Sequence, residues 1–367
     1  MKIAFDSQAF NMQSYGGVSR YYCVLANELF KKTQDVGIFA GIHKNKYLSA
    51  LPEGVVSGIQ LDKYPPKSAR AFQWISYCVG QLQVQSWKPD IIHETYYSSW
   101  PCFQSKSFRV TTVHDMIHEI FPEFFSARDQ TTKRKKAAFS RVDHIISVSE
   151  NTKRDLIDLF GIAEDKISVV HLGVDLSAFM NTSFISNNTS KPYILYVGSR
   201  HGYKNFDGFV KAFASSERLK SNFDIVAFGG GPFTNHENFL FKRFGLRHTQ
   251  IRQISGDDQM LASLYSKAYL FVYPSLYEGF GLPPLEAMAS GCPVVSSNAS
   301  SMPEVIRDSG EYFIPSDTED MRSAIERVVD SNQRRSELVN LGHENIKDFS
   351  WQKCAEKTLD VYKKVVS

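Results

Sequence analysis

Two glutamates, Glu278 and Glu286, stand with seven residues between them in the segment Pro274-Ser275-Leu276-Tyr277-Glu278-Gly279-Phe280-Gly281-Leu282-Pro283-Pro284-Leu285-Glu286. A carboxylate accepts paired hydrogen bonds, so each can hold the vicinal diol of a ribose or a hexose. Read blandly, Glu286 is a helix-dipole partner and Glu278 a surface loop acid. In a second segment, Gly198-Ser199-Arg200-His201-Gly202-Tyr203-Lys204, two cations lie four residues apart beside two glycines. The planar fork of Arg200 and the point charge of Lys204 suit a diphosphate. His114, in Val113-His114-Asp115, is a neutral donor or acceptor for a hydroxyl; taken alone, such a histidine is more often structural. Gly16-Gly17 and Gly229-Gly230-Gly231 either let a ligand approach the backbone closely or form plain turns. His93 and His118 read as structural.

Position gives these residues their weight. Short runs rich in Val, Ile, Phe and Tyr recur along the chain, as expected of strands covered on both faces. They fall at Lys2–Phe5, Val36–Ile42, Asp90–His93, Val110–Val113, His144–Val148 and Ile167–His171, then at Tyr193–Gly198, Asp224–Phe228, Ile251–Ile254, Tyr269–Tyr273 and Pro293–Ser296. Amphipathic stretches alternate with them, such as Gly17–Phe30 with its stripe Val18, Tyr21, Tyr22, Leu25, Leu29. The alternation predicts an α/β protein of doubly wound parallel sheets. Ligands of such sheets bind beyond the carboxyl ends of the strands, where all the segments above fall. A polar stretch at 181–192 reads as a linker between a domain at 1–180 and another at 193–350, with a last helix at 351–367.

Composition sets limits. At ~100–200 residues per domain, 367 residues fit two domains. The net charge of +3 is small for a nucleic-acid binder, and no nucleic-acid partner is expected. No apolar run reaches the ~20 residues needed to span a bilayer. Cys23, Cys78, Cys102, Cys292 and Cys354 are odd in number and scattered, which fits a reducing cytoplasmic compartment and small buried residues better than disulfides or zinc. No Asp-x-Asp pattern lies in the strand-end loops, and Asp257-Asp258 reads as a helix start, so neither metal nor cofactor is expected. The basic run Lys133-Arg134-Lys135-Lys136, with Arg141, reads first as a solvated helix face and second as an attraction to anionic lipid or a lipid-diphosphate acceptor.

Together these segments resemble glycosyltransferase family 4, the retaining enzymes of GT-B fold. The segment from Glu278 through Glu286 and on to Gly291-Cys292-Pro293 carries most of the likeness. Tyr196–Asn205, Val113–Asp115, Ser147–Glu150 and Gly16-Gly17 support it, in the family's order over nearly the whole chain. The resemblance implies two Rossmann-like domains facing each other across a cleft, with the nucleotide-sugar donor on the C-terminal one and the acceptor on the N-terminal one. By it, Arg200 and Lys204 stabilise the diphosphate, with Gly16, Gly17, Gly198 and Gly229 close to it. Glu286 holds the ribose and Glu278 the sugar hydroxyls. Gly279, Phe280, Gly281 and Leu282 turn backbone N–H groups to sugar and phosphate, and His114 lies near the sugar's C6 hydroxyl. It further implies hexose transfer, with GDP-mannose the leading donor, to a glycan or lipid-linked glycan of a surface polysaccharide such as O-antigen or capsule. Many relatives work at the inner face of the cytoplasmic membrane. The competing readings are a sugar-nucleotide epimerase or phosphorylase on the same fold, and a non-catalytic binder of nucleotide sugar.

Overall fold

In the computed structural model, which describes residues 1–100, 106–175, 179 and 191–367, the apolar runs form two parallel sheets. The first holds β1 (Ile3–Phe5), β2 (Val36–His43), β3 (Val56–Gln60), β4 (Ile91–Glu94), β5 (Phe108–Val113), β6 (His144–Ser147) and β7 (Ile167–Val169) in the order β3-β2-β1-β4-β5-β6-β7. The second holds β8 (Tyr193–Val197), β9 (Asp224–Phe228), β10 (Ile251–Ile254), β11 (Leu270–Tyr273), β12 (Val294–Ser297) and β13 (Gly310–Phe313) in the order β10-β9-β8-β11-β12-β13. Strand order reverses between β1 and β4 in one sheet and between β8 and β11 in the other. These are the switch points at which open sheets bind ligands.

The described residues divide into two compact units, Met1–Gly173 with Trp351–Ser367, and Val174–Ser350. In the first, the helix Trp351–Val366 packs on the helix Gly17–Thr33 and buries Cys354, Val361 and Tyr362. The Tyr362 hydroxyl lies 2.5 Å from His93 Nδ1, and Thr112 Oγ1 lies 2.9 Å from His93 Nε2, so His93 is a fully partnered core histidine. In the second unit, Phe206, Phe209 and Phe213 line one face of the helix Phe206–Ala214 and are fully buried against Ile194, Ile225 and Val272. Burial of such a side chain stabilises by about 1.5–3 kcal/mol.

Several expectations change. The strands β3 and β13 do not stand out as apolar runs, because both are sheet edges and only partly covered. The basic run is not one solvated face. Lys133, Arg134 and Lys136 are exposed, but Lys135 is 1% exposed and donates to Asp115 O at 2.8 Å and Glu119 Oε2 at 2.7 Å. Arg141 forks onto Glu94, itself buried, and donates to Ser98 O at 2.6 Å. Cys23, Cys292 and Cys354 are buried free thiols, whereas Cys78 is only partly covered. Cys102 and the linker up to residue 190 lie outside the described residues. No helix among the described residues is long and apolar enough to cross a membrane.

Candidate active site

The loops after β8 and β11 meet at the second switch point. Asn205 takes a left-handed conformation (φ 53°), and its Nδ2 donates to Pro274 O at 3.1 Å and Pro315 O at 2.8 Å. The Leu276 N–H donates to Tyr203 O at 2.7 Å, tying one loop to the other. This brings Lys204 and Glu278 together: Lys204 Nζ donates to Glu278 Oε1 at 2.6 Å, and Ser275 Oγ donates to the same oxygen at 2.7 Å. The backbone of Glu278 is held at both ends, its N–H donating to Ser300 Oγ and its carbonyl lying 2.9 Å from Ser301 Oγ. Burial, and then the Glu278 charge beside it, push the Tyr273 hydroxyl well above the usual tyrosine range. The polar cluster therefore keeps one oxygen of Glu278 engaged in a largely dry setting.

Gly281 heads the helix Leu282–Ala289 with φ 101°, a conformation that favours glycine, and a Cβ there would lie 3.3 Å from Met302 Sδ. Pro283 and Pro284 occupy the first turn, where the missing N–H costs nothing, and no side chain caps the helix. Its positive end stands beside the loop that carries Glu278, Gly279 and Phe280. Glu286, one turn further on, is half-buried and accepts from the Tyr265 hydroxyl at 3.4 Å.

Arg200 has partners that its type and spacing do not reveal. Its Nε donates to Glu237 Oε1 at 2.5 Å, its Nη1 to Gly229 O at 2.7 Å, and its Nη2 to Gly231 O at 2.9 Å and Pro232 O at 3.1 Å. Gly229, Gly230 and Gly231 are all left-handed (φ 88°, 69° and 70°), which turns these carbonyls toward the guanidinium. A Cβ on Gly230 would sit 2.6 Å from Arg200 Nη1. Glu237 closes the arrangement as the third residue of a capping box with Thr234. Burial alone would raise the Glu237 carboxyl, but Arg200 and Thr234 hold it below the usual range. Arg200 thus ties the glycine turn together, and Lys204 pairs with Glu278 at the switch point. Gly198, at φ 129°, donates its N–H to Phe228 O and has open space on its Cβ side.

In the first unit, His114 follows β5 with its ring edge-on to Tyr21 at 5.0 Å. Its Nε2 is buried without a hydrogen-bond partner among the described residues. Burial lowers its pKa to about 4, with Lys135 adding to the shift and Asp115 opposing it, so the ring is neutral near pH 7. Gly17 heads its helix with open space around it, but the anion position expected there is partly filled. Gln13 Oε1 accepts the Ser19 N–H at 3.2 Å, and a Cβ on Gly16 would lie 2.3 Å from that same oxygen. What sequence reasoning missed is the first switch point itself. There a cavity of about 510 Å³ opens between Ser7, Gln8 and Asn11 after β1, Tyr97 and Trp100 after β4, and Trp74 of the helix Ala69–Trp87. In the sequence, Tyr96–Trp100 shows only a concentration of aromatic residues, and Ser7, Gln8 and Asn11 after β1 carry no conspicuous signal.

Comparison with known proteins agrees with this architecture. Residues 15–178 match the family model described as Glycosyltransferase Family 4, and residues 181–344 the one described as Glycosyl transferases group 1. The chain is 29% identical over 272 residues to the O-antigen chain mannosyltransferase B of Escherichia coli, covering 69% of this chain and 70% of that one. It is 31% identical over 222 residues to the O-antigen chain mannosyltransferase RfbU of Salmonella typhimurium, covering 59% of this chain and 60% of the relative, less than two thirds of its length. Sucrose-phosphate synthase from Thermosynechococcus elongatus superposes with a TM-score of 0.78 over 99% of this chain and 98% of that one; at 20% identity this is a likeness of fold. With two parallel-sheet, Rossmann-like domains of the GT-B fold, the chain belongs to glycosyltransferase family 4.

Proposed function

We propose that the chain is a retaining glycosyltransferase that moves mannose from GDP-mannose to a glycan acceptor, free or lipid-linked, in surface-polysaccharide synthesis. The observation that carries this reading is the pairing of Lys204 with Glu278 at the second switch point, beside an uncapped helix N-terminus. In this reading the 193–350 domain holds the donor, and the 1–180 domain, joined by the 351–367 helix, holds the acceptor. Mannose and O-antigen come from the names of the two relatives. Retention rests on the family resemblance.

The chemistry follows from charge. The bond between the anomeric carbon and the phosphate oxygen breaks, leaving negative charge on the nucleotide diphosphate and positive charge on the sugar ring. Lys204 and the N–H groups from Gly279 to Leu282 stabilise the first. Glu278, held by Lys204 and Ser275, accepts from sugar hydroxyls, and Glu286 accepts from the ribose. The neutral His114 offers Nε2 to the sugar's C6 hydroxyl. The acceptor oxygen attacks the face the diphosphate leaves, and the departing phosphate takes its proton. Arg200 acts through the glycine turn as a positioning residue. We assign the diphosphate charge to Lys204 and backbone dipoles, so turnover persists in EDTA. The enzyme works at the inner face of the cytoplasmic membrane. Thermal melting with GDP, UDP, dTDP and their sugars tests the donor: selective stabilisation by GDP and GDP-mannose, lost in Glu286→Ala, is expected. Stabilisation by another nucleotide alone would replace the donor, and a shift unaffected by Glu286→Ala would remove the site.

A further inference from the structure

The helix Ala69–Trp87 buries almost nothing of itself. Ser76, Gly80 and Val84 form its one buried line, small side chains that let it lie close on β2; a Cβ on Gly41 of that strand would meet Ser76 at 2.6 Å. On its outer side it presents Trp74 (67% exposed), Ile75, Val79 and Leu82 (69% exposed). An exposed helix normally turns charge to water. This one has none from residue 71 to 87, and the chain leading into it carries Lys63, Lys67 and Arg70. All three are exposed, and Asp62, the one acid between residues 61 and 87, is paired with Lys46.

We propose that this helix is the surface by which the protein docks on an anionic lipid bilayer, Ile75, Val79 and Leu82 entering the acyl boundary and Lys63, Lys67 and Arg70 meeting headgroup phosphates. The proposal rests on the reading of a membrane-linked acceptor and gives it a place. A charge-free apolar stripe with a cationic approach is the chemistry of an interfacial helix, and Trp is the side chain suited to the headgroup level. The same helix turns Gln73, Trp74 and Tyr77 into the cavity at the first switch point. A lipid-anchored glycan standing beside the docked helix reaches that cavity without leaving the membrane. The exposed Lys133 and Lys136 take no part.

Co-sedimentation of the full chain with vesicles of phosphatidylcholine and phosphatidylglycerol, against phosphatidylcholine alone, tests this. The wild type binds the anionic vesicles with a blue shift of tryptophan emission that Trp74→Phe diminishes. Ile75→Glu with Leu82→Glu weakens binding about tenfold or more while leaving the melting temperature and the nucleotide-induced shift unchanged. Lys67→Gln with Arg70→Gln weakens it in a salt-dependent way, and Lys133→Gln with Lys136→Gln does not. Binding that survives Ile75→Glu with Leu82→Glu, or no binding by the wild type, overturns the proposal. A concentration-dependent dimer dissolved by the same pair of changes overturns it in favour of a second copy on this face. Vesicle binding without any nucleotide shift would leave this surface standing and remove the donor assignment instead.

Discussion

The two switch points of this molecule are built from opposite materials. The one between β8 and β11 is ionic: Lys204 and Glu278 are clamped by Asn205, Ser275 and Ser300 and backed by a helix N-terminus. The one between β1 and β4 is a cavity mostly of aromatic, amide and hydroxyl side chains, with Trp74, Tyr97 and Trp100 around Gln8 and Asn11 and a single cation, Arg134, in its lining. Two acids, Asp6 and Glu94, stand at its strand ends, both wholly buried, and burial with the nearby Glu94 raises Asp6 to about 6. Asp6 is committed to the Thr95 N–H at 3.0 Å and the Gln8 N–H at 3.2 Å rather than to the cavity. A charged diphosphate demands fixed charge and backbone dipoles. A neutral glycan demands flat apolar faces and amide groups. On the function proposed above, the difference between the two sites is the difference between the two substrates.

The largest effect that would break this contrast is on turnover. Lys204→Ala removes charge stabilisation at the leaving group, and kcat/KM falls by about 10²–10³, the scale of losing one preorganised donor. Arg200→Ala leaves Glu237 buried without its partner and costs about 3–5 kcal/mol of stability, read as a fall in the melting temperature. A change of turnover in Arg200→Ala with unchanged melting would return Arg200 to the diphosphate. Trp100→Ala raises the acceptor KM about tenfold, the order of one lost stacking contact, with nucleotide binding unchanged. If instead it weakens nucleotide binding, the division of labour between the two units is wrong.

The smallest effect concerns pH. His93 and His114 are lowered from 6.5 to about 3 and about 4, by burial first. The unfolded chain therefore takes up protons below pH 6.5 that the folded chain refuses, and stability falls as pH drops toward 4 by about 1.4 kcal/mol per unit for each group. Asp6 works against this, because its raised pKa lets the folded state hold a proton from about pH 6 downward. The Met1–Gly173 unit, which contains all three groups, therefore melts several degrees lower at pH 4.5 than at pH 7. Glu237, held below 4.5, withdraws its contribution from the other unit only as pH falls through that lower range. Calorimetric scans at stepped pH separate the two.

This contrast also explains what was legible in the sequence. Glycines and charges at strand ends are conspicuous, so the segments around Lys204 and Glu278 stood out before any fold was known. Arg200 is conspicuous for the same reason, but type and spacing do not reveal its partner 37 residues away at Glu237. Lys135 misled: its neighbours in the run are exposed, while helical geometry turns it inward onto Glu119. The first switch point was not legible, since aromatic residues that stack on sugars and aromatic residues that pack a core look alike in one dimension. The strands β3 and β13 escaped because a sheet edge needs no continuous apolar run. The helix Ala69–Trp87 could have been noticed from its lack of charge, though its outward orientation only follows from Ser76, Gly80 and Val84 lying against β2.

The central claim is that the ionic switch point holds the nucleotide diphosphate and the aromatic one does not. Calorimetric titration of GDP into the wild type, Lys204→Ala and Trp100→Ala tests it most directly. The account predicts at least about tenfold weaker binding in Lys204→Ala, the worth of one charge-assisted contact, and wild-type binding in Trp100→Ala. Equal affinity in the wild type and Lys204→Ala, or loss of binding in Trp100→Ala, would contradict it.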